Sequence, residues 1–391
     1  MAERLALLEE SGVVAGVRGR LAGQADAGLG PVEIGRALAA QGRLLGSDGV
    51  LAAAPAVTAH VRGLGALQPL VDDPSVTDIL VNGPLKIWVD RGQGLERIQA
   101  RFSSEDEVRR LAQRLISLGG RRIDDARPCA DVQLRGCRVH AVLPPVASRG
   151  TLISVRVARP RQTSLDSFLG EGVGDEYARH ALEAVVRLRR NFLVSGGTGS
   201  GKTTLLGHLL GLVPDDERIL LVEDAAELDP RHPHAVSLQS REANTEGEGE
   251  LSVAELVRQA LRMRPDRLVV GECRGAEVRE LLTAMNTGHQ GSGGTLHANS
   301  ADAVPARLAA LGALAGMDVS TTALYAASAL DAVIHVRRER GSRRIEQIGV
   351  FEARPDASGQ PRMRVVPALV FQGGAWSACE GMERLEALCG F

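Results

Sequence analysis

The stretch Asn191-Phe-Leu-Val-Ser-Gly196-Gly-Thr-Gly-Ser-Gly201-Lys202-Thr203-Thr204-Leu-Leu206 decides how this chain is read. Gly196 to Thr203 matches GxxxxGK[ST], and it sits where that motif must sit, between an apolar run at 191–195 and a helical stretch beginning near 201. Glycines there let backbone N–H groups curl around phosphates, and the helix N-terminus adds its partial positive charge. Lys202 would reach the β- and γ-phosphates and Thr203 would ligate Mg²⁺. The candidate nucleotide-binding set is Gly196, Gly197, Thr198, Gly199, Ser200, Gly201, Lys202, Thr203 and Thr204, with ATP and Mg²⁺ as the expected cofactors. A GTPase is disfavoured. Reading guanine through Asn-Lys-x-Asp needs a lysine, and the chain's two lysines, Lys86 and Lys202, lie in no such motif.

Downstream, apolar runs alternate with helical patterns: strand 218–222, helix 253–262, strand 267–271, helix 276–285, strand 293–297. That rhythm predicts a mostly parallel sheet with helices on both faces. In such a sheet the strand C-termini share the edge where the phosphate loop lies. Leu220-Leu-Val222 runs into Glu223-Asp224, with Glu227 three residues on, and Leu268-Val-Val270-Gly271 runs into Glu272. A carboxylate at that edge can hold Mg²⁺ directly or through water, or orient the attacking water. Glu223 and Glu272 are therefore catalytic candidates, and Thr203 and Glu272 the metal candidates. Glu227 fits a structural role equally well. Next comes Thr287-Gly-His289, then Gly291-Ser-Gly-Gly294, then Thr295-Leu-His297-Ala-Asn299. A histidine ending a short strand after a glycine-rich turn could sense the γ-phosphate, so His297 joins the candidates. His232-Pro-His234 beside Asp229 has a spacing that metal ligands use, but reads as a loop.

Upstream the pattern changes. Ile79-Leu-Val81 and Ile87-Trp-Val89 read as strands about the turn Asn82-Gly83-Pro84. Ser104 with Glu107 reads as a capping box opening a helix with the apolar stripe Val108, Leu111, Ala112 and Leu115, stopped by Gly119-Gly120. Strand-like runs follow at 139–143 and 152–157. The expected organisation is a helical extension over 1–65, a small α+β domain over 66–158, a linker over 159–166 and the ATPase domain over 167–391. Further strand-like runs fall at 333–336, 345–351 and 363–371.

Composition narrows the classes. Of 46 basic residues only two are lysines and the other 44 are arginines, against 48 acidic residues and a net charge of −2. Arginine-rich stretches such as Arg337-Arg338-Glu339-Arg340 then read as a solvated face, and no global field draws nucleic acid or anionic lipid. Aromatics at 3% leave few side chains to stack on bases. The five cysteines form no CxxC pair, which argues against zinc and against a disulfide framework. No cationic-then-apolar start marks a signal peptide and no apolar run approaches 18 residues, so a cytoplasmic place is expected, with any membrane link made through partners.

The phosphate loop, the box Glu223-Asp-Ala-Ala-Glu227, the segment Arg262-Met-Arg-Pro-Asp-Arg-Leu-Val-Val-Gly-Glu-Cys-Arg274-Gly and Thr287-Gly-His…Thr-Leu-His297-Ala-Asn together resemble the type II/type IV secretion ATPases. The branch that looks nearest is that of the tight-adherence (Flp) pilus-assembly and conjugal-transfer-associated ATPases. Ser237 to Gly249 is similar too, as are Asp73 to Gly83, Arg138 to Pro145 and Ile153 to Arg156 of the smaller domain. The resemblance covers about 66–350, with four boxes in the right order. It implies a RecA-like P-loop core, a homo-hexameric ring of two-domain subunits with ATP held between the domains, and an inner-membrane platform as partner. It also implies arginines that complete the site, at positions matched here by Arg156, Arg138 and Arg241; an arginine supplied in trans can stabilise transition-state charge. The chain departs from the wider P-loop pattern, as the family does, by having Gly271-Glu272 where an acidic pair is usual. Two other readings stand beside a secretion or pilus motor: a ring ATPase that moves nucleic acid, and a nucleotide-switched interaction module with little hydrolysis.

Overall fold

A computed structural model describes residues 30–40, 46–61, 63–92, 94–99, 102–157, 164–169, 174–241, 243, 248–339, 342–357 and 359–390. The helices expected before residue 30, and the linker at 159–163, lie outside them. The chain divides into two compact units, Met1–Arg159 and Pro160–Phe391.

In the first unit come helices α1 (Pro31–Ala39), α2 (Ser47–Val61) and α3 (Gln68–Asp72), then strands β1 (Asp78–Asn82), β2 (Ile87–Asp90) and β3 (Leu95–Ile98). Helix α4 (Glu105–Leu118) and strands β4 (Cys129–Leu134), β5 (Cys137–Val142) and β6 (Leu152–Val157) follow. The six strands form an antiparallel sheet in the order β3-β2-β1-β6-β5-β4. Sequence reading missed β3 and β4 as strands. β3 is exposed along most of its length and carries none of the alternation that marks a half-buried strand. The apolar stripe of α4, Val108, Leu111, Ala112 and Leu115, is buried with Ile79, Val81, Val139, Ala141, Ile153 and Val155 of the sheet. At the start of α4 the Ser104 side chain accepts from Glu107 N at 3.3 Å, while the Glu107 carboxylate accepts from Ser103 N at 2.8 Å, one residue before the expected partner.

The second unit continues with α5 (Asp166–Leu169), α6 (Asp175–Arg187), β7 (Phe192–Gly196), α7 (Lys202–Leu210), β8 (Ile219–Glu223) and β9 (Ala235–Gln239). Then come α8 (Val253–Ala260), β10 (Arg267–Cys273), α9 (Glu277–Asn286), β11 (Gly293–His297), α10 (Val304–Leu314) and α11 (Val319–Ala329). Strands β12 (Ala332–Glu339), β13 (Ser342–Pro355), β14 (Pro361–Gln372) and β15 (Ala375–Ala378) precede α12 (Met382–Cys389). All nine strands join one sheet, ordered β15-β14-β13-β12-β7-β11-β10-β8-β9. Pairing is parallel from β12 to β9 and antiparallel from β12 to β15. The strand-like runs of the tail are thus an extension of the main sheet beside the phosphate-loop strand. Asp166 opens α5, a turn held by buried Phe168 and Leu169, so the chain is structured before the expected linker ends.

Both faces of this sheet are covered, which is why its central strands read as continuous apolar runs. Phe192, Val194, Ile219, Leu221 and Val269 pack with Phe168, Leu182, Leu206 and Leu209 on one face. Leu193, Leu220, Val222, Leu268 and Val270 pack with Val257, Leu281, Leu282, Leu308 and Ala326 on the other. Truncating any of these leucines to alanine would cost about 2–5 kcal/mol. At the N-terminal end of the strands the fully buried Arg267 donates to Glu217 at 2.7 Å and to Val186 O at 2.8 Å, so its charge is paired inside the core. Among the described residues no single helix is long and apolar enough to cross a membrane; α10 and α11 meet that composition only jointly, bent by 118°, and both bury residues in the core.

Candidate functional site

Strand β7 is buried along its whole length and delivers the glycine loop to the C-terminal edge of the parallel strands. The loop closes onto α7 through Gly201, whose φ of 99° suits a residue without a Cβ. A Cβ on Gly196 would collide with Val336 O, so β12 presses directly on the start of the loop. Lys202 is buried, and its ammonium donates to Gly197 O at 3.0 Å. Desolvation lowers the Lys202 pKa; the carboxylates of Glu272 and Glu227 pull it back and Arg274 pushes it further down. Ser200 Oγ is buried without a hydrogen-bond partner among the described residues, and Thr203 and Thr204 stand half-buried in the first turn of α7. A helix N-terminus, a glycine cradle and one buried cation fit the phosphates of a nucleotide.

The two strand-end carboxylates differ in setting. Glu223, 3% exposed, accepts through Oε1 from the backbone N–H groups of Glu227 and Leu228, each at 3.0 Å, while Oε2 is buried with no partner among the described residues. Burial pushes its carboxyl up to about 7 against the pull of those two N–H groups. Its side chain fills the space beside Gly271, where a Cβ would stand 2.6 Å from Glu223 Cγ. That contact explains the missing acidic pair: a side chain at 271 would evict Glu223. Glu272 is more open and accepts from Arg274 at 2.6 Å. The turn after β10 is held by Glu277, whose carboxylate accepts from the N–H groups of Arg274 at 2.5 Å and Gly275 at 2.7 Å.

His297 ends β11 in register with Gly196, which brings it to the start of the phosphate loop. Two residues back, Thr295 donates from its hydroxyl to Gly271 O at 2.6 Å, tying β11 to the Glu272 strand. Gly196 to Thr204, Glu223, Glu272 and His297 therefore gather at one sheet edge. Sequence reading missed a pair behind them. Ser195 Oγ lies 2.9 Å from His335 Nδ1, both residues buried, and the strand register sets them side by side. They are 140 residues apart, and only the β7–β12 pairing unites them.

The candidate arginines fall in both units. Arg138 and Arg156 belong to the first unit, where β5 and β6 place them as direct cross-strand neighbours. Each has a carboxylate of its own: Asp131 for Arg138 at 3.0 Å and Asp78 for Arg156 at 3.3 Å. Arg241, in the second unit, donates to Gly249 O at 2.7 Å. His232 and His234 engage Pro214 O and Arg218 at 3.0 and 2.8 Å, as loop residues do.

Residues 60–357 match the family described as type II/IV secretion system protein. The chain is 52% identical over 316 residues to a putative conjugal transfer protein of Mycobacterium tuberculosis, covering 79% of this chain and 90% of that protein. It is 31% identical over 275 residues to the type IV secretion system protein VirB11 of Brucella suis, covering 63% of this chain and 75% of that one. Among solved structures it resembles the pilus retraction motor PilT with bound ADP, at 21% identity and a TM-score of 0.51, over 82% of this chain and 84% of the other. That last likeness concerns fold, and with the sheet order above it gives a RecA-like P-loop core.

Proposed function

The chain belongs to the type II/IV secretion system protein family, and we propose that it is a secretion or pilus motor driven by ATP hydrolysis at the Gly196–Thr204 loop. The observation that carries this reading is the convergence of the loop, Glu223, Glu272 and His297 on one sheet edge, with Lys202 buried among them. ATP hydrolysis is the activity. Lys202 and the α7 N-terminus neutralise the phosphates, and Thr203 and Glu272 are the residues that would hold the cation. A Mg²⁺ held there would supply positive charge to offset the negative charge that builds during transfer. Glu272 or Glu223 orients the attacking water, and His297, next to Gly196, reads the γ-phosphate. Buried with a carboxyl near 7, Glu223 has the pKa of a proton acceptor working at neutral pH.

The finer reading is a homo-hexamer of the tight-adherence pilus or conjugal-transfer branch, acting at the cytoplasmic face on a membrane platform. Arg138 and Arg156 of a neighbouring subunit's first unit, together with Arg241, would complete the site. The high identity to a putative conjugal transfer protein supports this branch. The test is ATP hydrolysis by the purified chain, wild type against Lys202→Ala and Glu272→Gln, with light scattering in the presence and absence of nucleotide. Magnesium-dependent turnover by a hexamer, lost in both variants, is expected. A monomer that binds ATP without hydrolysing it, indifferent to Glu272→Gln, would replace the motor with a nucleotide switch.

A further inference from the structure

The β12–β13 hairpin borders the phosphate loop at three of its glycines, Gly196, Gly199 and Gly201. Gly196 faces Val336 O, and the strand register pairs these two residues. A Cβ on Gly199, whose φ is +68°, would stand 3.6 Å from Arg338 Nη1. One on Gly201 would stand 3.0 Å from Arg343 Cδ. The sequence rule for strands accounts for this: Arg338 follows Val336 by two residues, so it shares its face and overhangs the loop. Arg343 is its cross-strand partner on β13. Two further arginines of the hairpin, Arg337 and Arg344, have described partners. Arg337 donates to Glu346 at 2.6 Å, and Arg344 lies 5.0 Å from the Phe371 ring centre. An arginine-rich hairpin that reads in sequence as a solvated face thus sets one guanidinium against the backbone of the loop's apex.

We propose that Arg338 is a nucleotide-binding residue whose guanidinium contacts the phosphate chain held by the loop. The proposal rests on the reading of that loop as the ATP site. The planar fork of a guanidinium suits phosphate oxygens, and a permanently charged arginine keeps that contact at any working pH. Because Arg338 is exposed, the contact is worth roughly fivefold in affinity, the range of a solvated ion pair. Glycine at 199 leaves the approach open: a larger side chain there would stand between the guanidinium and the loop.

The experiment is displacement of a fluorescent ADP analogue from the full chain by ATP and, separately, by inorganic tripolyphosphate. Wild type is compared with Arg338→Ala, Arg338→Lys, Arg337→Ala and Lys202→Ala. Arg338→Ala should weaken ATP and tripolyphosphate by the same factor of roughly five, Arg338→Lys by less, and Arg337→Ala not at all. Wild-type affinities in Arg338→Ala would overturn the proposal. So would a loss confined to ATP, which would put the contact on the sugar or base. If Lys202→Ala leaves binding intact, the reading of the loop itself fails, and that outcome is distinct from a failure of Arg338 alone.

Discussion

Glu223 and Gly271 are packed so closely that any side chain at 271 would overlap the Glu223 methylene, with a Cβ only 2.6 Å from Cγ and 3.0 Å from Oε1. The glycine before Glu272 is thus the complement of the glutamate that ends the neighbouring strand. Replacing it tests that relationship. Gly271→Ala should destabilise the fold by about 1–3 kcal/mol through overpacking and should cut ATP turnover by pushing Glu223 off its two backbone donors. In Glu223→Ala the same substitution should cost much less, so a double-mutant cycle by thermal denaturation should show strong non-additivity. Additive effects would disprove the coupling.

The buried Glu223 carboxyl, raised to about 7 by desolvation, gives a signed pH dependence. A raised folded-state pKa means the native chain binds more protons than the unfolded chain between the ordinary carboxyl value of 4.5 and about 7. Stability from this group therefore falls as pH rises through that window. Glu223→Gln, whose amide oxygen keeps both backbone donors, should gain on the wild type as pH goes from 5 to 8. The check is urea denaturation at each pH without nucleotide, and equal pH slopes would refute it.

His335 predicts the opposite slope. Burial lowers its pKa below the ordinary histidine value; Glu346 and Asp302 oppose the shift, and Arg337 and Lys202 add to it. The neutral ring is the folded form, so protons bind the unfolded chain first and stability drops as pH falls below 6.5. His335→Asn should flatten that acid limb. Ser195→Ala and His335→Asn should show a coupling of about 0.5–1.5 kcal/mol, the range of a buried hydrogen bond.

Arg156 separates catalysis from stability. Its side chain is 61% exposed and its Asp78 contact is 3.3 Å long, so Arg156→Ala should change folding stability by less than about 1 kcal/mol. If the arginine acts on a neighbouring subunit's nucleotide, turnover should fall at least a hundredfold at unchanged melting temperature. Mixing with a Lys202→Ala chain, which keeps Arg156, should then restore part of the lost activity. Unchanged turnover would leave Arg156 as Asp78's partner alone.

Much of the site was legible because its signals are local. The loop is eight consecutive residues whose spacing is itself the mechanism, and Glu223, Glu272 and His297 each end a short apolar run. Contacts between distant segments carried no such mark. Ser195 and His335 each lie within apolar surroundings, Gly271 reads as an omission, and Arg338 is one of 44 arginines in a biased composition.

By itself the sequence determined that a phosphate loop joins a strand to a helix, that strands and helices then alternate, and that acids stand at strand ends. Those features follow from backbone conformation and side-chain periodicity over a few residues. The tertiary structure alone decided that β12 lies beside β7 and that the tail completes the sheet. It also decided that Glu223 fills the notch at Gly271 and that Arg338 overhangs Gly199. Strand partners and register are chosen by burying both sheet faces at once, a condition on the whole chain that no short segment expresses.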